Sequence, residues 1–192
     1  GEIKNLCEIA DPDYGLITNI GKAHLEGFGS YEKVIQAKSE LYDHICRKEG
    51  TVFFNQDNSL LESLTKERNC ITYTYGSEKF AKCRGNLVKT LPYLEIITEN
   101  HNVKTQITGK YNFENIMASI CIGKYFKVPF KNIAKAIGDY IPENNRSQIL
   151  HTENNELILD AYNANPTSMN AALENFYEMN RKQKAIILGD MF

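Results

Sequence analysis

The chain has 192 residues, of which 42% are hydrophobic and 24% charged, and its 22 Lys and Arg against 24 Asp and Glu leave a net charge of -2. That balance, with lysines scattered rather than striped, argues against a nucleic-acid-binding surface and makes any phosphate recognition a local matter. No run approaches the roughly 18 apolar residues of a membrane span, and no signal-peptide pattern opens the chain.

In chain order, Ile3, Leu6, Cys7 and Ala10 predict a short amphipathic helix closed off by Asp11-Pro12. Leu16 to Ile20 reads as a buried strand, and a polar loop with His24, Gly27 and Gly29 follows it. The glycines permit backbone angles that other residues resist, or are plain turn residues. Glu26 reads either as a loop carboxylate or as a group supporting a metal. A long helix comes next, with Tyr31, Val34, Ile35, Leu41, Tyr42 and Ile45 recurring at the spacing of one apolar stripe. Lys38 lies on that stripe where a leucine would be expected. Its ammonium is then partly desolvated unless its stem packs and its head escapes to water. His24 leaves the carboxyl end of the preceding strand, which is where open α/β sheets place their ligands.

A strand at Thr51 to Asn55, a helix burying Leu60, Leu61 and Leu64, and a strand at Cys70 to Tyr75 continue the alternation. Alternation of this kind predicts an α/β fold, a mainly parallel sheet with helices on its faces. From about residue 86 to 108 the pattern changes. Pro92 to Thr98 and Val103 to Thr108 flank the turn-forming Glu99-Asn100-His101-Asn102 and predict an antiparallel hairpin. His101 reads as a solvated turn residue, and His44 and His151 have no partner pattern. The five cysteines, at 7, 46, 70, 83 and 121, show no C-x-x-C and no zinc-like pairing with the four histidines. An odd, widely spaced set reads as reduced core thiols in a cytosolic protein.

Gly109 leads into a helix with Phe113, Ile116, Met117 and Ile120 on one face, and Asn112 and Asn115 near its start. Capping explains Asn112; a side-chain amide, donor and acceptor together, also suits an adenine edge. A further helix, Phe130 to Tyr140, ends at Ile141-Pro142, and the polar run Glu143-Asn144-Asn145 marks a domain boundary. Beyond it, strands at Ser147 to Thr152 and Leu157 to Ala161 precede a helix from Pro166 to about Met179, whose proline suits a first turn. A parallel strand at Lys184 to Leu188 is expected to complete a right-handed crossover and open a second, Rossmann-like α/β unit. Asp160, at the end of a strand, caps the next turn or touches a ligand.

Three blocks carry a resemblance: ITNIGKAHLEGFGSYEKVIQAKSEL, YNFENIMAS and DAYNANPTSM. They resemble, in order, the metal-site segment, the adenine-side Asn-x-x-Asn helix and a C-terminal-domain signature of the Mur ligases. The resemblance implies an ATP-dependent amide-bond ligase of peptidoglycan precursor synthesis, cytoplasmic, using ATP and magnesium, with UDP-N-acetylmuramoyl-tripeptide and D-alanyl-D-alanine as partners. By the same resemblance, His24 and Lys38, the lysine as a carbamate, hold magnesium. Carbamate formation needs a neutral amine, and desolvation lowers a lysine's pKa in that direction. Asn112 and Asn115 face adenine, Arg146 and Asp160 contact the nucleotide, and Tyr162, Asn163 and Asn165 shape the substrate pocket.

The expected division is 1–142, part of a central ATP-binding domain, and 143–192, the start of a C-terminal domain. The chain opens without methionine and stops just past an apolar run, so it is expected to be an excerpt. No G-x-x-x-x-G-K-[ST] loop occurs in it; Gly21-Lys22-Ala23 lacks both the first glycine and the magnesium-binding hydroxyl. These residues alone are therefore expected to be inactive. A sister ligase of the folylpolyglutamate and Mur group, and a non-catalytic nucleotide-binding module, stay open as alternatives.

Overall fold

The structure is a computed structural model that describes residues 1–21, 29–162 and 164–189. Helix α1, Glu2–Ala10, ends as expected at Asp11, whose left-handed backbone (φ 44°) lets its N–H donate to the carbonyl of Cys7 at 2.8 Å. Strand β1 is Tyr14–Leu16, earlier and shorter than the apolar run from Leu16 to Ile20 suggested. The ladder with β2 stops at Leu16, and Ile17 and Ile20 are buried by packing in the cluster that includes Val34, Tyr42 and Ile45 rather than by strand pairing.

Helix α2, Tyr31–Arg47, starts where Ser30 accepts from the Lys33 N–H at 3.3 Å, with Glu32 in its first turn and His44 and Arg47 in its last. Those charges suit the helix dipole at each end. Strand β2, Thr51–Asn55, is buried along its whole length. Val52 and Phe54 pack in one cluster with α2 and with Leu61 and Leu64 of α3, Ser59–Lys66, while Phe53 joins the cluster on the opposite face. Burial on both faces is what a central parallel strand requires.

β3 is Ile71–Gly76, β4 Cys83–Lys89, β5 Glu95–Thr98 and β6 His101–Lys104. The six strands lie in sequence order, parallel from β1 to β4 and antiparallel from β4 to β6. The expected hairpin is β5 and β6, turning at Glu99 and Asn100, both with positive φ. His101 opens β6 instead of lying in the turn, with its ring 4.3 Å from that of Phe130. β4 has no counterpart in the sequence pattern, because two of its three inward positions are Cys83 and Gly85, with Leu87 the third, and the glycine leaves room for Met117.

A 3-10 turn at Lys110–Asn112 leads into α4, Phe113–Tyr125, and then comes α5, Phe130–Asp139. Ile116, Met117, Ile120 and Cys121 of α4 and Ile133 and Ile137 of α5 close the second core with Leu94, Ile96 and Val103. Each such fully buried aliphatic side chain contributes on the order of 1.5–3 kcal/mol.

Past residue 145, β7 (Gln148–His151) and β8 (Glu156–Leu159) form a separate antiparallel pair, followed by α6, Pro166–Glu178. Lys184 to Leu188 is not a strand. Among the described residues no strand lies beside it to complete a ladder, and Ile186, Ile187 and Leu188 are exposed. The cysteines are not all reduced thiols. Cys46, in the last turn of α2, and Cys70, just before β3, form a disulfide with Cα atoms 4.9 Å apart, and only Cys7, Cys83 and Cys121 are free. Sequence spacing could not reveal that pair, because the fold brings together residues separated by 24 positions.

Candidate functional site

Lys38 sits on the inward side of α2, half-buried, and its Nζ donates to the carbonyl of Asn19 at 2.9 Å. No carboxylate pairs with it among the described residues. Burial holds its pKa below the ordinary lysine value of 10.5. Its segment is tied down nearby, where the Tyr31 hydroxyl donates to the carbonyl of Ile20 at 2.9 Å. His24, Glu26 and Gly27 lie outside the described residues, as does Asn163. Among the described residues no cluster of three His, Cys, Asp or Glu side chains could hold a metal.

The asparagine pair lies at the start of α4. Asn112 makes no side-chain cap; its Nδ2 donates to the Thr108 carbonyl at 2.8 Å and its Oδ1 accepts from Asn115 Nδ2 at 3.1 Å. The capping alternative is therefore not what this side chain does. Asn112, Asn115 and Ser119 line a cleft of about 490 Å³ whose other walls are Ile137 and Tyr140 and, from the following segment, Asn144 and Arg146. An amide pair, an apolar wall and a cation thus face one space. The Arg146 guanidinium stacks on the Tyr162 ring, 3.8 Å from its centroid, so an aromatic face holds the cation, and no acid pairs with it among the described residues.

Asp160 joins the two stretches of chain. Its Oδ1 accepts from the Ser147 N–H and its Oδ2 from the Tyr111 hydroxyl, both at 3.3 Å, and Tyr111 and Ser147 share a hydrogen bond of 2.5 Å. Burial pushes the Tyr111 phenol up to about 12, and the Asp160 charge adds to the rise. Lys110 pairs with Glu178 at 2.7 Å and Asn175 Nδ2 donates to Thr108 Oγ1 at 3.3 Å, so α6 is tied to the same turn. Asn165 is the cap of α6: its Oδ1 accepts from the Ser168 N–H at 3.0 Å, and Ser168 Oγ reciprocates with the Asn165 N–H at 3.2 Å. That commits one end of the amide and leaves Nδ2.

Two features were not singled out from the sequence. Tyr111, inside YNFENIMAS, links Asp160 and Ser147. At the carboxyl ends of β2 and β3, Asn55 Oδ1 accepts from the Asp57 N–H at 3.0 Å, and Asp57 accepts from the N–H groups of Ser77 at 2.8 Å and Glu78 at 2.9 Å. Beside them the Glu114 carboxyl is held above the usual carboxylate range, first by burial and then by the Asp57 charge, against a lowering contact with Asn55. Asn-x-Asp at the end of a buried strand was the available signal.

A mainly parallel sheet with its asparagine cleft beside α4, joined to a smaller hairpin-and-helix unit, has known counterparts. Residues 1–123 match the Mur ligase middle domain and residues 145–192 the Mur ligase glutamate ligase domain. The chain belongs to the Mur ligase family. It is 31% identical over 201 residues to the UDP-N-acetylmuramoyl-tripeptide–D-alanyl-D-alanine ligase of Bacillus subtilis, covering all of this chain and 42% of that protein. The Rickettsia prowazekii ligase of the same name is 30% identical over 203 residues, again across the whole chain and 44% of the relative. Among solved structures, MurF from Acinetobacter baumannii superposes with a TM-score of 0.80 at 25% identity, over 93% of this chain and 40% of that one. The chain spans about two fifths of the length of these relatives. Among the described residues no helix is long and apolar enough to cross a membrane.

Proposed function

We propose that these residues are the adenine-binding and hinge portion of a cytoplasmic ATP-dependent ligase that joins D-alanyl-D-alanine to UDP-N-acetylmuramoyl-tripeptide. Residues 1–142 belong to the central ATP-binding domain and 143–192 begin the C-terminal domain. The observation that carries the reading is the cleft in which Asn112, Asn115 and Arg146 face one space.

Amide formation in water is uphill, so the tripeptide carboxylate first takes the γ-phosphoryl group of ATP, releasing ADP. The dipeptide amine then attacks the acyl carbon and phosphate leaves. Asn112 and Asn115 present amide donors and acceptors to the adenine edge. Arg146, stacked on Tyr162, brings a cation toward the phosphates, and Asp160 with Tyr111 holds the hinge that sets its position. Tyr162, Asn163 and Asn165 shape the space where the activated peptide meets the amine. Closure there excludes the water that would hydrolyse the acyl phosphate.

The half-buried Lys38, with no acidic partner among the described residues and a lowered pKa, fits a lysine that reacts as the neutral amine with carbon dioxide. As a carbamate it would hold magnesium together with His24. When bound, magnesium supplies charge neutralisation for the transferring phosphoryl group.

The 192 residues contain no loop for the β and γ phosphates, so by themselves they are expected to bind ADP without releasing phosphate from ATP. The test is phosphate release by a chain that carries them together with such a loop, with the UDP-linked tripeptide present and D-alanyl-D-alanine compared with single amino acids. Release that needs the dipeptide and is lost in Lys38→Ala supports the reading. Release with a single amino acid moves the protein to a sister ligase, and no release with any acceptor makes it a nucleotide-binding module.

A further inference from the structure

A second cleft, of about 730 Å³, is open between α1 and α2, and Gln36, Glu40 and Arg68 are among its lining residues. Cys46 is part of its wall. Cys46 and its bridge partner Cys70 are both half-buried, whereas the three free cysteines are buried. Cys46 thus lines an open cleft while bonded to Cys70, and both pack against the cluster of α2 and β2. Its neighbour Arg47 has no ion-pair partner among the described residues, whereas the other cations of the wall are paired, Lys4 with Glu8 at 3.9 Å and Arg68 with Asp43 at 2.6 Å, and Glu40 takes the N-terminal ammonium at 2.7 Å. An unpaired cation in the same wall as a cysteine favours its thiolate, here Arg47 beside Cys46 in sequence, and a wall of mixed charge suits a small molecule that carries carboxylates and an ammonium.

We propose that Cys46 and Cys70 are a reversible thiol–disulfide site for acidic low-molecular-weight thiols, entered from this cleft at Cys46. For opening, the thiolate of the small molecule attacks Cys46 Sγ. The Cys46–Cys70 bond breaks, Cys70 leaves as a thiolate and takes up a proton, and a mixed disulfide remains on Cys46. A second small thiolate attacks the small-molecule sulfur of that mixed disulfide, which releases Cys46 as a thiolate. The protein disulfide gains two electrons and two protons, and two small thiols become one small disulfide. Closure runs the same exchange backwards with the small disulfide as oxidant. Disulfides in reducing compartments are typically of this transient kind.

The site has a structural consequence independent of the ligase reading. Cys46 is eight residues, about 12 Å along the helix, from Lys38 on α2. The bridge anchors the end of that helix to the start of β3. Opening it frees the last turn of α2, and the native chain loses a constraint on its unfolded ensemble.

The test equilibrates the 192-residue chain in a series of oxidised and reduced glutathione ratios, quenches with acid, and reads the alkylation of each cysteine by mass spectrometry. Cys46 and Cys70 are expected to change together, while Cys7, Cys83 and Cys121 stay reduced. The reduced form is expected to melt roughly 10 °C lower, with faster amide exchange at Ile45 to Arg47. Cys70→Ser is expected to trap one glutathione on Cys46 faster than Cys46→Ser traps it on Cys70. A pair that stays fully alkylated at the most oxidising ratio, or bridged at the most reducing, overturns the proposal. So does faster trapping on Cys70. Should either serine variant fail to fold, the wild-type titration decides by itself.

Discussion

Lys38 occupies a leucine's place on α2 because its stem continues the apolar stripe while its Nζ reaches the Asn19 carbonyl. Hydrogen bonding to a neutral carbonyl does not repay burial of the charge, and the folded pKa falls below 10.5. The unfolded chain then binds that proton more tightly than the folded one. Between the lowered value and 10.5, stability should therefore rise with pH in the wild type relative to Lys38→Met, and below the lowered value the difference should be constant. Urea midpoints of the two proteins from neutral pH to 10.5 check this; parallel curves would show an unperturbed lysine. Tyr111 gives a second residue-scale prediction. Tyr111→Phe removes the hydroxyl that meets Ser147 and Asp160 and should cost about 1 kcal/mol in urea unfolding, leaving Asp160 with the Ser147 N–H alone.

Elements with a full apolar period were legible, and so were the short β5–β6 and β7–β8 pairs between their turns, whereas β1 was displaced and β4 missed. α2 shows its stripe because an apolar face of five turns leaves no competing reading, and the strand Thr51–Asn55 lies where the apolar run and its flanks put it. β4 escaped notice because Gly85 fills one inward position, and an apolar run at Lys184 to Leu188 looks like a strand although pairing, not composition, makes one. At this scale Ile45→Ala is the informative change. Ile45 is fully buried between α2 and the sheet, so truncation should cost about 2–5 kcal/mol, and amide exchange across α2 should accelerate more than across α4. Equal acceleration in both helices would mean that the two faces of the sheet unfold as one unit.

For the whole molecule, the cleft beside α4 needs residues from separate stretches, Asn112 to Ser119, Ala136 to Pro142 and Asn144 to Arg146, with the Tyr111, Ser147 and Asp160 contacts beside them. If ADP occupies it, ligand at a hundred times its Kd should stabilise the chain by about 2.7 kcal/mol. Asn115→Ala should weaken that protection without lowering the melting temperature of the free chain, since Asn115 is exposed and its one side-chain bond goes to Asn112. Calorimetric melts with and without ADP decide it, and a variant protected as well as the wild type would take Asn115 out of the nucleotide site.

The sequence by itself determined what is local: the periods of the helices, the buried β2, Lys38 on an apolar stripe and the motif blocks that belong to the Mur ligases. These depend on neighbours a few residues apart, whose side chains share a face by helix or strand geometry alone. Only the tertiary structure decided that Asn112 bonds Thr108 and Asn115 instead of capping its helix, and that Arg146 stacks on Tyr162. It also decided that Cys46 meets Cys70 and that Lys184 to Leu188 has no strand to join among the described residues. Each of those outcomes depends on which distant groups the packed layers bring within a few ångströms of one another, and spacing along the chain does not encode that distance.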